Sequence, residues 1–288
     1  MAKKIIFGTT NNLSWTALLA KEKRFFSQRG LDIDFRSFIS GKKCLAALQK
    51  GWIDVANIID VNVAELAFIK KPKIKVLYIT QIKRDDGIVA HKKSGVINPA
   101  DLKDKKIGYL PKTSSHLFLV KFFEKHNILL DEKNLISMTP DIMRKEFFGG
   151  CIDAFSIWEP INVQMRFLAA QNDTDIVYFH NASISSFHVV LAASSKILKK
   201  DNVAVDSIVE ALRDAERFAV SHPDETREIL SKNLNISPNI LMHIYDKISL
   251  QITEINQDFW QNVQMHVRWI NPDKNIQYEK FVDSLVRF

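Results

Sequence analysis

GLDIDFRSFISGKKCLAALQKGWIDVANII, residues 30–59, holds a strand, a helix and a second strand together with their stop signals. Gly30 ends a preceding helix, because a glycine just past the last turn adopts the left-handed conformation at no steric cost. Leu31–Phe38 alternates apolar and polar residues, the period of a half-buried strand. Ser40-Gly41 opens a helix over Lys42–Lys50, serine being a preferred N-cap, and Gly51 closes it. Val55–Ile59 is the next strand.

The same grammar extends in both directions and predicts an α/β chain. Upstream, Lys4–Phe7 is a short strand, Gly8–Asn12 a polar turn, and Trp15–Gln28 one helix capped by Ser14 or Asn12. Downstream, Val63–Ile69 reads as a helix stopped near Pro72, and Lys75–Gln81 as a fourth strand. A second run then begins, with strands at Ile88–His91, Lys106–Tyr109, Leu135–Met138 and Ala154–Ile157. Between them fall a helical turn at Pro99–Leu102, a helix opened by Pro111–Ser115 and running to Asn127, and a helix over Pro140–Phe148. Phe187–Ala193 is a further strand, and from Lys196 onward the chain reads as mostly helical. There Val205–Ser221 carries apolar residues at helical spacing, and Pro223 stands in a helix's first turn, where its missing N–H costs nothing.

The composition is that of an ordinary folded chain: 288 residues, 46% hydrophobic and 25% charged. Nine glycines and eight prolines exclude collagen-like and low-complexity readings, and 19 Phe with 5 Trp exclude disorder. The net charge of +7 favours anionic partners at long range. The lysines occur as scattered pairs with acids nearby, so nucleic-acid binding is not expected. Two cysteines, Cys44 and Cys151, give neither a disulfide framework nor a zinc pattern, and both read as buried free thiols. No apolar run has the length of a membrane span. Met1–Lys4 passes directly into Ile5-Ile6-Phe7, so a secretory leader is either absent or already removed.

Several phrases together resemble a known family. ALLAKEKRFFSQRGLDIDF (17–35), ALQKGWIDVA (47–56), NPADLKDKKIG (98–108), FGGCIDAFSIWEP (148–160) and the helical stretch Val205–Leu230 follow in the order seen in type II periplasmic solute-binding proteins. The resemblance is to the ABC-transporter branch serving nitrate, sulfonates, taurine and thiamine-pyrimidine precursors. It implies a two-lobed α/β fold, each lobe a mixed sheet flanked by helices, with a hinge between them. Residues 1–83 with 190–288 would form the first lobe and 84–189 the second. Lys23-Arg24 departs from the family, which often has Lys-Gly there.

In such a fold the ligand lies beyond the carboxyl ends of the strands, where helix N-termini offer unpaired N–H groups to anions. Asn11 and Asn12 can donate and accept there, with Trp15 one turn later as a ring to stack on a ligand. Ser40 and Gly41 combine a cap with close backbone approach, and Asp60 follows the third strand. Thr113, Ser114 and Ser115 place consecutive hydroxyls at a helix start, with His116 in its first turn. The resemblance makes Trp158 a wall and Glu159 an acceptor for an amine or ring N–H, and puts Phe187 and His188 where the chain crosses between lobes.

Catalytic signatures are missing: there is no Gly-x-Ser-x-Gly elbow, P-loop, His-Glu-x-x-His or Gly-x-Gly-x-x-Gly, and the two cysteines cannot form the cluster used by pyrimidine-making relatives. The expectation is a non-enzymatic binder of a small molecule, oxyanion or sulfonate before pyrimidine-type precursor, closing like a hinge and delivering to an ABC permease. It would be periplasmic or at the cell surface, monomeric, and without cofactor or metal. The competing readings are a membrane sensor's input domain and an enzyme on the same fold.

Overall fold

The computed structural model describes residues 4–286. The chain forms two compact units: one takes the chain up to Lys83, Phe187–Pro238 and the chain from Ile248, and the other takes Arg84–Ser186 with Asn239–Lys247. The expected division at residue 189 therefore lies beyond the observed one, and Asn239–Lys247 clusters with the second unit.

In chain order the first unit begins with β1 (Ile5–Thr9), α1 (Trp15–Glu22), α2 (Phe25–Gln28), β2 (Ile33–Ser37), α3 (Gly41–Gln49), β3 (Val55–Ile59), α4 (Asp60–Glu65) and β4 (Ile74–Lys83). The second unit contributes β5 (Asp86–His91), β6 (Ile107–Tyr109), α5 (Ser114–Lys125), β7 (Leu135–Ser137), α6 (Pro140–Phe148), β8 (Ala154–Trp158), α7 (Ile161–Gln171) and β9 (Ile176–Phe179). The chain returns to the first unit with β10 (Phe187–Ser194), α8 (Ser195–Lys200), α9 (Asn202–Ser221) and α10 (Pro223–Leu234). It then passes through α11 (Pro238–Tyr245) and ends with β11 (Ile248–Glu254), α12 (Gln257–Ile270) and α13 (Tyr278–Leu285).

Each unit holds one mixed sheet, in the orders β11-β4-β10-β3-β1-β2 and β7-β6-β8-β5-β9. In the first, β2, β1 and β3 are parallel and β10 lies antiparallel to β3. The second repeats this arrangement, with β7, β6 and β8 parallel and β5 antiparallel to β8. Central strands such as β3, β5, β8 and β10 are buried along their whole length, as strands covered on both faces must be. Helix α9 buries Val205, Ile208, Val209 and Leu212 along one face, and each such side chain stabilises the fold by roughly 1.5–3 kcal/mol.

Three differences from the sequence reading have physical causes. The first helix breaks at Lys23-Arg24, where Arg24 takes φ +59°, the left-handed conformation that suits the family's usual glycine. The break turns the chain so that Phe26 packs beside Phe7 and Phe35, with ring centroids 6.2 and 5.7 Å away. Helix α4 starts at Asp60 rather than Val63 because the Asp60 and Asn62 side chains satisfy the N–H groups of Val61 and Ile59. The stretch after Lys196 includes a strand, β11, whose pairing with β4 supplies what its own sequence does not announce. Helix α7 and strand β9 have no counterpart in the sequence reading.

Both cysteines are free thiols, but Cys151 is exposed rather than buried. Cys44 is buried, which pushes its thiol up to about 12 and leaves it inert at neutral pH. No helix among the described residues is long and apolar enough to cross a membrane.

Candidate functional site

In the first unit, β1, β2 and β3 end at the same edge of the sheet, and each runs into a polar loop or helix start. After β1, the Thr10 hydroxyl donates to Asn12 Oδ1 (3.0 Å) and accepts the Leu13 N–H (3.1 Å), making a rigid turn. Asn11 is exposed at its tip and Asn12 half-buried. Trp15, expected as a ring to stack on a ligand, is fully buried: its indole N–H donates to the Asn11 carbonyl, and its backbone N–H to Gln81 Oε1. Ser14 does not cap α1; its hydroxyl accepts the Thr10 N–H.

After β2, Ser40 caps α3 by accepting the Lys43 N–H. A Cβ at Gly41 would run into Asn62 Oδ1 and Leu13, so the tight seating of this helix start requires glycine. The N–H groups of Gly41 and Lys42 carry no hydrogen bond among the described residues. Lys42 and Lys43 are exposed in the same turn, and Lys42 pairs with Glu65 at 3.3 Å.

After β3, Asp60 has no exposed surface. Its carboxylate accepts the backbone N–H groups of His188 (2.9 Å) and Val61 (2.8 Å). His188 Nδ1 lies 3.5 Å from one oxygen, and His266 Nε2 lies 3.3 Å from the other without an aligned hydrogen bond. Burial alone would raise the Asp60 pKa; the nearby His266 ring and the His188 ring and backbone N–H outweigh it and hold the group at about 2. Phe187, also expected at the site, is fully buried with its ring stacked 5.9 Å from that of His266.

The second unit repeats the edge. After β6, Thr113 caps α5, its hydroxyl accepting the His116 N–H and donating to the Leu110 carbonyl (2.8 Å). The hydroxyls of Ser114 and Ser115 both donate to Asp86 Oδ1. Both serines and Asp86 are buried, so the hydroxyl run expected to cradle an oxyanion already holds a carboxylate of the chain itself, which also compensates the positive end of the helix. His116 accepts the Lys112 N–H at Nδ1 (3.2 Å), and burial lowers its pKa to about 4, so the ring is neutral at pH 7.

After β8, Trp158 and Glu159 are both buried. The Glu159 carboxylate accepts the Val163 N–H (2.7 Å) and pairs with Arg166 (3.1 Å) and Lys247 (2.7 Å). Lys247 also donates to the Tyr178 hydroxyl at 3.1 Å, and the Arg166 guanidinium lies 4.0 Å from the Tyr178 ring centre. Burial and the neighbouring Glu159 charge push the Tyr178 phenol well above its ordinary range. A Cβ on Gly87 would meet this ring at 2.5 Å, so glycine there admits the tyrosine.

The structure thus gathers Asn11, Asn12, Ser40, Gly41 and Asp60 along one edge of the first sheet, and Thr113, His116, Trp158 and Glu159 along the matching edge of the second. Sequence reasoning missed Asp86, Arg166, Lys247 and His266. The pair Asp85-Asp86 ahead of a strand was the one local signal; the others act across long sequence separations.

Comparison with known proteins agrees with this architecture. The family model described as NMT1/THI5 like matches residues 12–226. A binding protein of Brucella abortus (strain 2308) is 28% identical over 225 residues, covering 76% of this chain and 67% of that protein. An aliphatic sulfonates-binding protein of Escherichia coli (strain K12) is 21% identical over 246 residues, covering 80% and 71%. The crystal structure of the periplasmic aliphatic sulphonate binding protein SsuA from Escherichia coli superposes with a TM-score of 0.80 at 17% identity, covering 100% of this chain and 93% of that one. It establishes the two-sheet fold as that of the periplasmic binding proteins. With three quarters of its length matched by the family model and its relatives named as binding proteins, the chain belongs to the NMT1/THI5-like family.

Proposed function

We propose that this protein is a solute-binding component of an ABC importer that takes a small sulfonate-type oxyanion and leaves it chemically unchanged. The observation that carries the ligand class is the start of α3. Two N–H groups there have no internal partner, two lysines stand in the same turn, and a glycine keeps the backbone accessible. The matching start of α5 is neutralised by Asp86, so the anionic end of the ligand is assigned to the first unit. Asn11 and Asn12 supply further donors. Trp15, Ser115, Asp60 and Glu159 act as supports that hold these loops rather than as ligand contacts.

The E. coli relative's name favours sulfonate over the pyrimidine reading. Capture by hinge closure, a permease partner, a monomeric state and a location outside the cytoplasm follow from the same reading, as does the lack of catalysis.

The test is a melting series of the whole chain against taurine, longer alkanesulfonates, nitrate, dicarboxylates and aminopyrimidines. A bound solute stabilises the folded state by about 2.7 kcal/mol at a hundredfold excess over Kd. The proposal expects that rise with at least one sulfonate. A rise confined to aminopyrimidines would transfer the protein to the thiamine-precursor branch, and a flat panel would remove the transport reading.

A further inference from the structure

The first unit has a second polar feature, at the opposite end of its sheet. There α3 ends, β4 begins and β10 gives way to α8, around an open pocket of about 490 Å³. Lys50, Lys73, Lys196 and Lys199 line it, with Gln49 and Ser195, and no carboxylate does. None of the four lysines is ion-paired among the described residues. Lysines gathered around one hollow repel one another, and a shared anion relieves that repulsion.

A second observation gives the direction of the missing partner. Gln49 Oε1 accepts the Lys73 N–H at 3.0 Å, which fixes the amide, and its Nε2 is buried with no hydrogen-bond partner. The unsatisfied group is therefore a donor, on a residue that lines the pocket together with the four lysines. Three carbonyls of the last α3 turn, those of Ala46, Ala47 and Leu48, are taken by the N–H groups of Lys50, Trp52 and Gly51. Lys50 lies over the Trp52 ring at 4.4 Å, and that ring is 59% exposed. A cation beside an exposed, amphipathic aromatic is an arrangement suited to a headgroup layer as well as to a soluble ligand.

We propose that this pocket binds a phosphate group, distinct from the solute of the strand-end loops, carried either by a soluble phosphate ester or by an anionic phospholipid. Four positive charges and an amide donor match a multiply charged oxyanion better than a singly charged sulfonate.

The experiment uses the whole chain in two arms at one low ionic strength: calorimetric titration with inorganic pyrophosphate, and co-sedimentation with vesicles of phosphatidylglycerol in phosphatidylcholine against phosphatidylcholine alone. Binding of pyrophosphate assigns a soluble phosphate; binding to the anionic vesicles without it assigns the lipid. The double variant Lys196→Gln/Lys199→Gln, both exposed, should weaken whichever binding is seen by about tenfold or more, as loss of two charged contacts implies. Lys103→Gln/Lys133→Gln makes the same change of net charge on the second unit and should leave it unaltered. The single variant Gln49→Leu gives an independent reading, weakening the same binding through loss of the amide donor. Silence in both arms, or equal weakening by the control pair, overturns the proposal.

Discussion

Asp60 and Glu159 hold the same place in two similar sheets. Each is the first residue after a strand with a parallel neighbour on one side and an antiparallel one on the other, and each is fully buried. Their partners differ in kind. Asp60 is met by two backbone N–H groups and two imidazoles, whereas Glu159 is met by one N–H, a guanidinium and an ammonium. Desolvating a carboxylate is costly in either place, and the chain offsets it with groups that can lose their charge in the first unit and with permanent cations in the second. One carboxylate is therefore held by imidazoles and backbone N–H groups and the other by side-chain cations.

The largest effect that could break this contrast is Glu159→Gln. Removing this carboxylate strands Arg166 and Lys247, both largely buried, and should cost about 3–5 kcal/mol in urea unfolding. A loss under 1 kcal/mol would mean that water already carries the pair. Asp60→Asn should cost less, about 1–3 kcal/mol, because it leaves imidazoles that can be neutral and an amide oxygen that still accepts one N–H. If the order of the two is reversed, the contrast is wrong.

The pH series sharpens it further. The folded Asp60 pKa, about 2, lies below its unfolded value of 3.8, so its contribution is complete above about pH 4 and disappears as pH falls through 2. The gap between wild type and Asp60→Asn should close over that window. His116 acts in a higher window. Its folded value near 4 lies below the unfolded 6.5, so stability falls as pH drops from 6.5 to 4, and His116→Gln should flatten that limb of the curve. The smallest expected difference lies between the two helix caps. Thr113→Ala loses an acceptor for the His116 N–H and a donor to Leu110, about 1 kcal/mol, while Ser40→Ala loses one 3.4 Å bond and about half as much.

Local chemistry made part of this visible in the sequence. Ser40 caps its helix, Gly51 stops it at φ +69°, and Pro140–Phe148 is a helix with the bounds its residues suggest, because each depends on neighbours a few positions away. The positions of the strand-end loops followed from the alternation of elements. What stayed hidden depends on distance along the chain. Asp86 meets Ser115 across 29 residues and Lys247 meets Glu159 across 88, and no local pattern marks either pairing. Strand β11 is amphipathic at a sheet edge, where pairing rather than propensity decides its conformation. Arg24 illustrates the opposite case: the sequence departs there from the family's glycine, yet the backbone keeps the left-handed turn and the arginine accepts the strain.

The most direct test of the central claim is calorimetric titration of the intact chain with an aliphatic sulfonate, followed by mass analysis of the compound recovered from the complex. The account predicts saturable binding of one sulfonate per chain and recovery of an unaltered molecule. Absence of heat with every sulfonate tried, or recovery of a compound of different mass, would contradict it.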